Sequence, residues 1–519
     1  MTTATRAEPA PRPDGEPRVE PLDRHNRELL ANVHPADWKE PEPLDRYHLV
    51  VIGAGTGGLV TAAIAAGLGA RVALVERHLM GGDCLNVGCV PSKGVIGAAR
   101  AWQAAAEAGP VFAGPRAGGS GDFAAVMERM RRIRAGLSRV DSAARFRDLG
   151  VDVFLGEARF VGPDAATVNG KRLRFRRAVI ATGARAAVPP IPGLEQAGYL
   201  TNETVFGLTE LPGHLMVLGA GPIGCELAQA FARLGAQVTL IAREPRILPR
   251  EDAEAAAVVE AAMERHGVRL LRNARLNRVE RRDGRRVLAV ERDGRAEDIV
   301  GDQLLVAVGR APNVEGLGLE QAGVRYDQAG VAVNDRLRTS SRRIYAVGDI
   351  CSRHQFTHAA DAQARLVIGN ALFFGLGGGR VSRLVMPWVT YTTPEVAHVG
   401  MSAVQATQAG HEVHTLTVPM ADVDRAVLDG QEDGFLRIHL RQGSDRILGA
   451  TLVAEHAGEM IGELTVAMAN GLGLAKVGAA IHSYPTQAEV FRKAADAWRR
   501  TRLTPAAKRL FRAFFRVVR

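Results

Sequence analysis

The sequence predicts an α/β fold in which two Rossmann-type dinucleotide-binding domains are followed by an α+β C-terminal domain. Two observations carry that expectation. A glycine-rich turn, Gly53-Ala54-Gly55-Thr56-Gly57-Gly58, recurs 166 residues later as Gly219-Ala220-Gly221-Pro222-Ile223-Gly224, each time between an apolar run and a helix-forming run. From about residue 386 the pattern changes to β-rich runs (Trp388 to Tyr391, Phe435 to Leu440, Ile447 to Ala454) and then to helical spacing.

In the first copy, Tyr47 to Ile52 reads as a buried strand, Leu59 to Leu68 as a helix, and Arg71 to Val75 as a second strand ending in Glu76. That order makes a dinucleotide-binding βαβ unit. Gly53 forms the turn, Gly55 lets a pyrophosphate approach the backbone, Gly58 lets the helix pack on the strand, and Glu76 can accept from a ribose hydroxyl. The second copy runs His214 to Leu218, Cys225 to Leu234 and Gln237 to Ile241, with Gly219, Gly221 and Gly224 in the same roles. Opposite Glu76 it has Ala242, followed by Arg243. A cation in place of the ribose acid suits a 2′-phosphate, so NADPH is favoured, while Glu244 and Arg246 nearby leave NADH open. Two such sites on one chain imply two cofactors and an electron relay.

At 519 residues, with 46% hydrophobic and 24% charged residues, the chain has the composition of a soluble globular protein of two to four domains. Its net charge of +10 does not point to nucleic acid: eight basic and no acidic side chains fall between Arg499 and Arg519, and aromatics are only 5%. No apolar core follows Met1, so no secretory signal is expected and the cytoplasm is the expected location. The 22 uncharged residues from Leu49 to Ala70 are long enough for a membrane span, but their glycines belong to the first turn.

Two of the four cysteines stand five positions apart in Gly81-Gly82-Asp83-Cys84-Leu85-Asn86-Val87-Gly88-Cys89-Val90-Pro91-Ser92-Lys93. Pro91 suits a first helical turn, which places Cys89 at a helix N-terminus, where a thiolate is favoured. Gly88 permits a loop tight enough to bring the sulfurs together. A structural bridge or two buried thiols would use the same spacing. No further cysteine or histidine stands at ligand spacing in the loop, so no metal is expected there. The whole stretch resembles the redox-active disulfide of the flavoprotein disulfide reductases, the family of lipoamide dehydrogenase, glutathione reductase and mercuric reductase.

That resemblance covers about residues 47 to 500. Before it, residues 1–46 are rich in Pro and charged residues with little periodicity and read as an N-terminal extension lying partly on the surface, with one short helix near Asn26 to Ala31; the resemblance implies an FAD-binding domain (47–190, resumed at 314–385) and an NAD(P)-binding domain (191–313). A dimerisation domain (386–500) and a basic amphipathic tail (501–519) follow. Cys89 would be the thiolate beside the flavin and Cys84 the interchange thiol that meets the acceptor, with Lys93 and Glu226 as an ion pair near flavin N5. Ala178 to Gly183, including Thr182 and Gly183, resembles the crossover between the cofactor domains, and the run Gly309-Arg310-Ala311-Pro312-Asn313 closes the second. The strand ending at Asp349 resembles the second flavin motif, in which the carboxylate accepts from ribityl hydroxyls. Cys225 and Cys351 are expected to be small buried side chains.

At Ile481-His482-Ser483-Tyr484-Pro485-Thr486-Gln487-Ala488-Glu489 the pattern departs from the lipoamide and glutathione reductases, which carry His before that proline, paired with the glutamate five residues on. A phenol with a pKa of about 10 is a poor base for dithiols at pH 7. Tyr484 at this position resembles the mercuric reductases, with Glu489 as its companion and His482 structural. Those enzymes also carry paired cysteines near the C-terminus, and here the chain ends Phe514-Phe515-Arg516-Val517-Val518-Arg519. The expected protein is a homodimeric, mercuric-reductase-like flavoenzyme whose acceptor is a small molecule, a disulfide or Hg(II). A dihydrolipoyl dehydrogenase, a quinone or small-acceptor reductase, and a non-catalytic nucleotide-sensing scaffold are the alternatives.

The tail carries its own signal. From Thr504-Pro505 onward, Leu510, Phe511, Phe514, Phe515, Val517 and Val518 fall on one side of a helix, and Lys508, Arg509, Arg512, Arg516 and Arg519 on the other. Such a helix suits either the anionic inner face of a membrane, or a protein in it, or burial of its apolar face on the dimer.

Overall fold

The computed structural model describes residues 17–114, 121–373, 376 and 379–518. They form two compact units, one running up to residue 245 and including 267–384, the other made of residues 246–266 and those from 385 onward. The expected extension lies partly outside the described residues, as does Arg519.

In the first unit, strands Val151–Leu155, Val72–Glu76, Tyr47–Ile52 and Lys171–Ile180 lie side by side in parallel, continued by Ala165–Val168 and Arg159–Gly162 in antiparallel pairing. Ile344–Ala346, from far along the chain, pairs in parallel with the end of Lys171–Ile180. Tyr47–Ile52 is a nearly unbroken apolar run because both of its faces are covered. Leu49 and Val51 enter one core with Leu74 and Val179; Val50 and Ile52 enter the other with Val75 and Ile180.

The second glycine turn sits in a four-stranded parallel sheet ordered Val268–Leu271, Gln237–Ile241, His214–Leu218 and Gln303–Val306. Beside it runs an antiparallel meander of Ala274–Arg282, Arg285–Arg292 and Arg295–Gly301. Its turns fall at Asp283-Gly284 and Asp293-Gly294, where both residues of each pair have positive φ, the geometry of two-residue hairpins.

The helix in the extension is longer than its sequence suggests. It spans Arg24–Val33, is capped by the Asp23 carboxylate accepting from the Asn26 N–H at 2.9 Å, and buries Leu29 and Val33 in the same core as Leu74. Two of its four inward residues, His25 and Asn26, are polar, which conceals the helical period from a hydropathy reading. Arg134 explains Asn26: its guanidinium donates to Asn26 Oδ1 and to the Asn86 carbonyl, both at 2.6 Å, while His25 stands 3.4 Å from Glu128. This helix of the extension is thereby tied to the cysteine loop.

The second unit holds a five-stranded antiparallel sheet ordered Pro387–Thr390, Glu395–Gly400, Ile447–Ala454, Phe435–Arg441 and Val413–Pro419. Helices Ala457–Ala469 and Glu489–Thr501 pack on it. Helix Ala253–Arg265 belongs to this unit, and its capping residue Asp252 pairs with Arg437 at 2.8 Å. Among the described residues no helix is long and apolar enough to cross a membrane.

Candidate active site

The two glycine turns are built alike, and their glycines divide into two kinds. Gly53 and Gly219 have φ of 99° and 111°, and a Cβ on either would stand 2.4 Å from the carbonyl oxygen of Ala181 or Ala307. A Cβ on Gly58 or Gly224 would meet the carbonyl of Gly53 or Gly219 at 1.8 and 2.0 Å. The fold itself requires these four. Gly55 and Gly221 are different: both have φ of −77°, ordinary for any residue. A Cβ on Gly221 would meet nothing within 4 Å, and one on Gly55 only the Gly82 Cα at 3.7 Å. Each stands at the N-terminus of a helix, Thr56–Gly67 and Pro222–Arg233, whose first-turn N–H groups have no partner within the helix. Glycine at these two positions fits a phosphate-bearing cofactor approaching the backbone.

Glu76 ends the second strand and clamps the first turn, its two oxygens accepting from the N–H groups of Ala54 (2.6 Å) and His78 (2.9 Å). Burial raises its pKa and these backbone donors oppose the rise. At the second turn Ala242 is buried, while Arg243 extends into solvent beside Glu244 at 3.0 Å.

The cysteine loop rests directly on the first turn. The Gly81 N–H donates to the Ala54 carbonyl at 2.8 Å, and a Cβ on Gly82 would stand 2.6 Å from the Gly55 Cα. Cys84 lies in the short helix Gly82–Asn86, and Cys89 is the first residue of helix Cys89–Phe112. Both are free thiols within hydrogen-bond reach of each other, and the Thr357 hydroxyl, on the first residue of helix Thr357–Leu372, stands 3.5 Å from Cys89 Sγ. The hydrogen bond from Cys84 draws the Cys89 thiol down to about 6. The Thr357 hydroxyl and the Lys93 ammonium add to this. Cys89 opens to solvent, yet enough protein surrounds it for desolvation to push the other way. Cys84, as the donor and under burial, is pushed well up. The shared proton is therefore favoured on Cys84 and the negative charge on Cys89.

Lys93 Nζ lies 2.7 Å from Glu226 Oε2 on helix Pro222–Arg233, where the glutamate is only 6% exposed. Thr182 and Asn313 exchange hydrogen bonds, the threonine hydroxyl to the Asn313 carbonyl at 3.0 Å and the Asn313 amide to the Thr182 carbonyl at 2.9 Å. Gly183 (φ 65°) and Gly309 (φ 143°) flank this crossover.

Two residues that sequence reasoning did not single out complete the site. Thr357 carries no motif and is recognised only by its contact with Cys89. Arg310, within the run quoted from Gly309 to Asn313, ion-pairs with Asp83 of the cysteine loop and places Nε 3.3 Å from Asp349 Oδ2. Burial raises the Asp349 pKa and Arg310 opposes the rise. No local signal marked it, because Asp83 and Asp349 are far apart in the chain and meet at Arg310 only on folding.

In the other unit Tyr484 is 68% exposed, and its hydroxyl donates to Asp424 Oδ2 at 2.9 Å, which raises the phenol pKa. Glu489 is buried: Oε1 pairs with Arg492, and Oε2 has no hydrogen-bond partner. No hydrogen bond joins Tyr484 to Glu489; they are held by Asp424 and Arg492 respectively. His482 is fixed by Glu463 at 2.9 Å and by the Ala480 carbonyl at 3.1 Å. Cys225 is fully buried, and burial pushes the Cys351 thiol up to about 12. Among the described residues no cluster of three or more His, Cys, Asp or Glu could hold a metal ion.

Residues 47–364 match the pyridine nucleotide-disulphide oxidoreductase family, and residues 386–495 match its dimerisation domain. The chain belongs to the pyridine nucleotide-disulphide oxidoreductases. It is 35% identical to a mercuric reductase of Staphylococcus aureus over 86% of this chain and 82% of that one. It is equally 35% identical to a dihydrolipoyl dehydrogenase of Thermus scotoductus, over 87% and 97%. The structure of the HOCl-induced flavoprotein disulfide reductase RclA from Escherichia coli superposes with a TM-score of 0.78 at 29% identity, covering 88% of this chain and all of RclA. The protein is an FAD-dependent oxidoreductase of this family that takes electrons from NAD(P)H, and is mercuric-reductase-like. The dimerisation-domain match supports a homodimer.

Proposed function

We propose that this oxidoreductase passes two electrons from NADPH to the Cys84–Cys89 pair and from there to a thiophilic acceptor, with Hg(II) the first candidate. The observation that carries the reading is the pair of free thiols within hydrogen-bond reach of each other, with the Thr357 hydroxyl 3.5 Å from Cys89, on a loop resting on the first glycine turn. Gly53, Gly55, Gly58 and Glu76 would hold FAD at that turn, with Asp349 toward its ribityl chain; Gly219, Gly221, Gly224 and Arg243 would hold NADPH. Bound there, FAD supplies two-electron transfer between a nicotinamide and a disulfide.

Thr357 and Lys93 would hold Cys89 as the thiolate on the side where FAD would lie, and Cys84 would receive the acceptor. When Hg(II) is bound and reduced to the metal, the two electrons come from NADPH, which leaves as NADP+ with release of one proton. A disulfide acceptor takes the same two electrons with two protons. Tyr484, its phenol raised by Asp424, cannot serve as a base at neutral pH, which favours metal over dithiol turnover despite the dihydrolipoyl dehydrogenase relatives. The cytoplasm, which keeps thiols reduced, is the compartment in which such a pair can cycle.

Anaerobic addition of one equivalent of NADPH should produce a long-wavelength thiolate-to-flavin absorbance band that is absent in Cys89→Ser. A full-length protein reduced without that band would remove the disulfide from the mechanism. Turnover on Hg(II), small disulfides and quinones then identifies the acceptor: quinone reduction undiminished in Cys84→Ser would replace the proposal with a flavin-centred reductase.

A further inference from the structure

The last helix, Pro505–Val517, is used by nothing in the redox chemistry. Thr504 caps it, its hydroxyl accepting from the Ala507 N–H at 3.2 Å, so it is a well-formed helix and not a frayed end. None of its residues is buried. Leu510, Phe511, Phe514, Phe515, Val517 and Val518 are between 49% and 84% exposed. They fall on one side at 100° per residue, opposite Lys508, Arg509, Arg512 and Arg516. A contiguous apolar stripe with three phenylalanines, left uncovered by its own chain, marks an interaction surface.

Two facts select the occupant. The dimerisation-domain match ends at residue 495, so the helix lies outside the segment that the family uses to join two copies. From Arg499 to the C-terminus there are eight basic side chains and no acidic one, a field complementary to a surface of uniform negative charge. At 13 residues the helix is about 20 Å long, too short for a hydrocarbon core of about 30 Å. Lying flat, it can sink its Phe and Leu side chains to the level of the acyl chains while its cations reach the headgroups.

We propose that residues 504–519 hold the enzyme on an anionic lipid surface as an interfacial helix. This deepens the functional reading by giving the reductase a location, and it stands or falls separately from it. The cations act additively with the apolar face: each Lys or Arg neutralised should weaken binding about fivefold at low salt, and salt should weaken it further.

The experiment is co-sedimentation of the full-length protein with vesicles of phosphatidylglycerol and phosphatidylcholine in equal parts, and with pure phosphatidylcholine. Binding is expected to the mixed vesicles only. It should be lost on truncation after Leu503, fall sharply in Phe514→Ser/Phe515→Ser and fall in Arg512→Gln/Arg516→Gln. The NADPH-induced long-wavelength band of the truncated protein should be unchanged, which separates failure of the tail proposal from failure of the redox one. Equal sedimentation of full-length and truncated proteins would overturn the proposal. So would the absence of vesicle binding, whether the truncated protein stays dimeric or becomes monomeric; the monomer would show instead that a second copy covers the Phe face.

Discussion

Cys89 owes its reactivity to three neighbours, and Thr357 is the one whose role can be isolated. Its hydroxyl stands 3.5 Å from Cys89 Sγ and can donate to a thiolate but not to the neutral form with equal effect. With a pKa of about 6, Cys89 is ionised in about nine molecules of ten at pH 7, and the thiolate is lost as the pH falls through 6. Thr357→Val should move that midpoint upward by roughly one unit, the equivalent of one charge-assisted hydrogen bond, while Thr357→Ser should restore it. The pH dependence of iodoacetamide alkylation reads the midpoint directly. Superimposable curves for the wild type and Thr357→Val would assign the hydroxyl no part in it.

At the scale of the element, the glycine turns separate what the fold needs from what a ligand needs. Gly224→Ala forces a Cβ to within 2.0 Å of the Gly219 carbonyl and must displace the helix from the strand, so a loss of about 2 kcal/mol or more is expected in urea unfolding. Gly221→Ala meets no protein atom within 4 Å and has an ordinary backbone conformation. Its stability should match or slightly exceed that of the wild type, because alanine costs less chain entropy, by about 0.5 kcal/mol. Its affinity for NADPH should nevertheless fall at least tenfold as the methyl group stands between the pyrophosphate and the helix N-terminus. Unchanged NADPH affinity in Gly221→Ala would move the nucleotide elsewhere.

At the scale of the molecule, Arg310 joins three segments that are distant in the chain: the cysteine loop through Asp83, the crossover through the Ala184 carbonyl at 2.6 Å, and the Ile344–Ala346 strand end through Asp349. Arg310→Met leaves two carboxylates facing each other without their cation. The expected cost is about 2 kcal/mol at pH 7, below the range for a fully buried pair because Asp83 is 39% exposed. The sign of the pH dependence follows from the charges. Repulsion exists only while both carboxylates are ionised, so the deficit should shrink as pH falls through the raised pKa of Asp349. Urea melts of both proteins at pH 7 and pH 5 test this; a deficit that is the same at both would mean lost packing and not charge.

Both glycine turns, the cysteine loop and the C-terminal helix were legible in the chain, because each is specified by neighbours in sequence. Glycine marks the tight turns, a Thr-Pro pair opens a helix, and apolar spacing sets which face is buried. The Arg24–Val33 helix was underestimated because its inward His25 and Asn26 are polar, and what makes them acceptable inside are Glu128 and Arg134, each more than a hundred residues away. Arg310 and Thr357 could not be singled out for the same reason. A buried charge or hydroxyl takes its meaning from the partner it finds on folding, and that partner is chosen by the packing of distant segments, which no local pattern records.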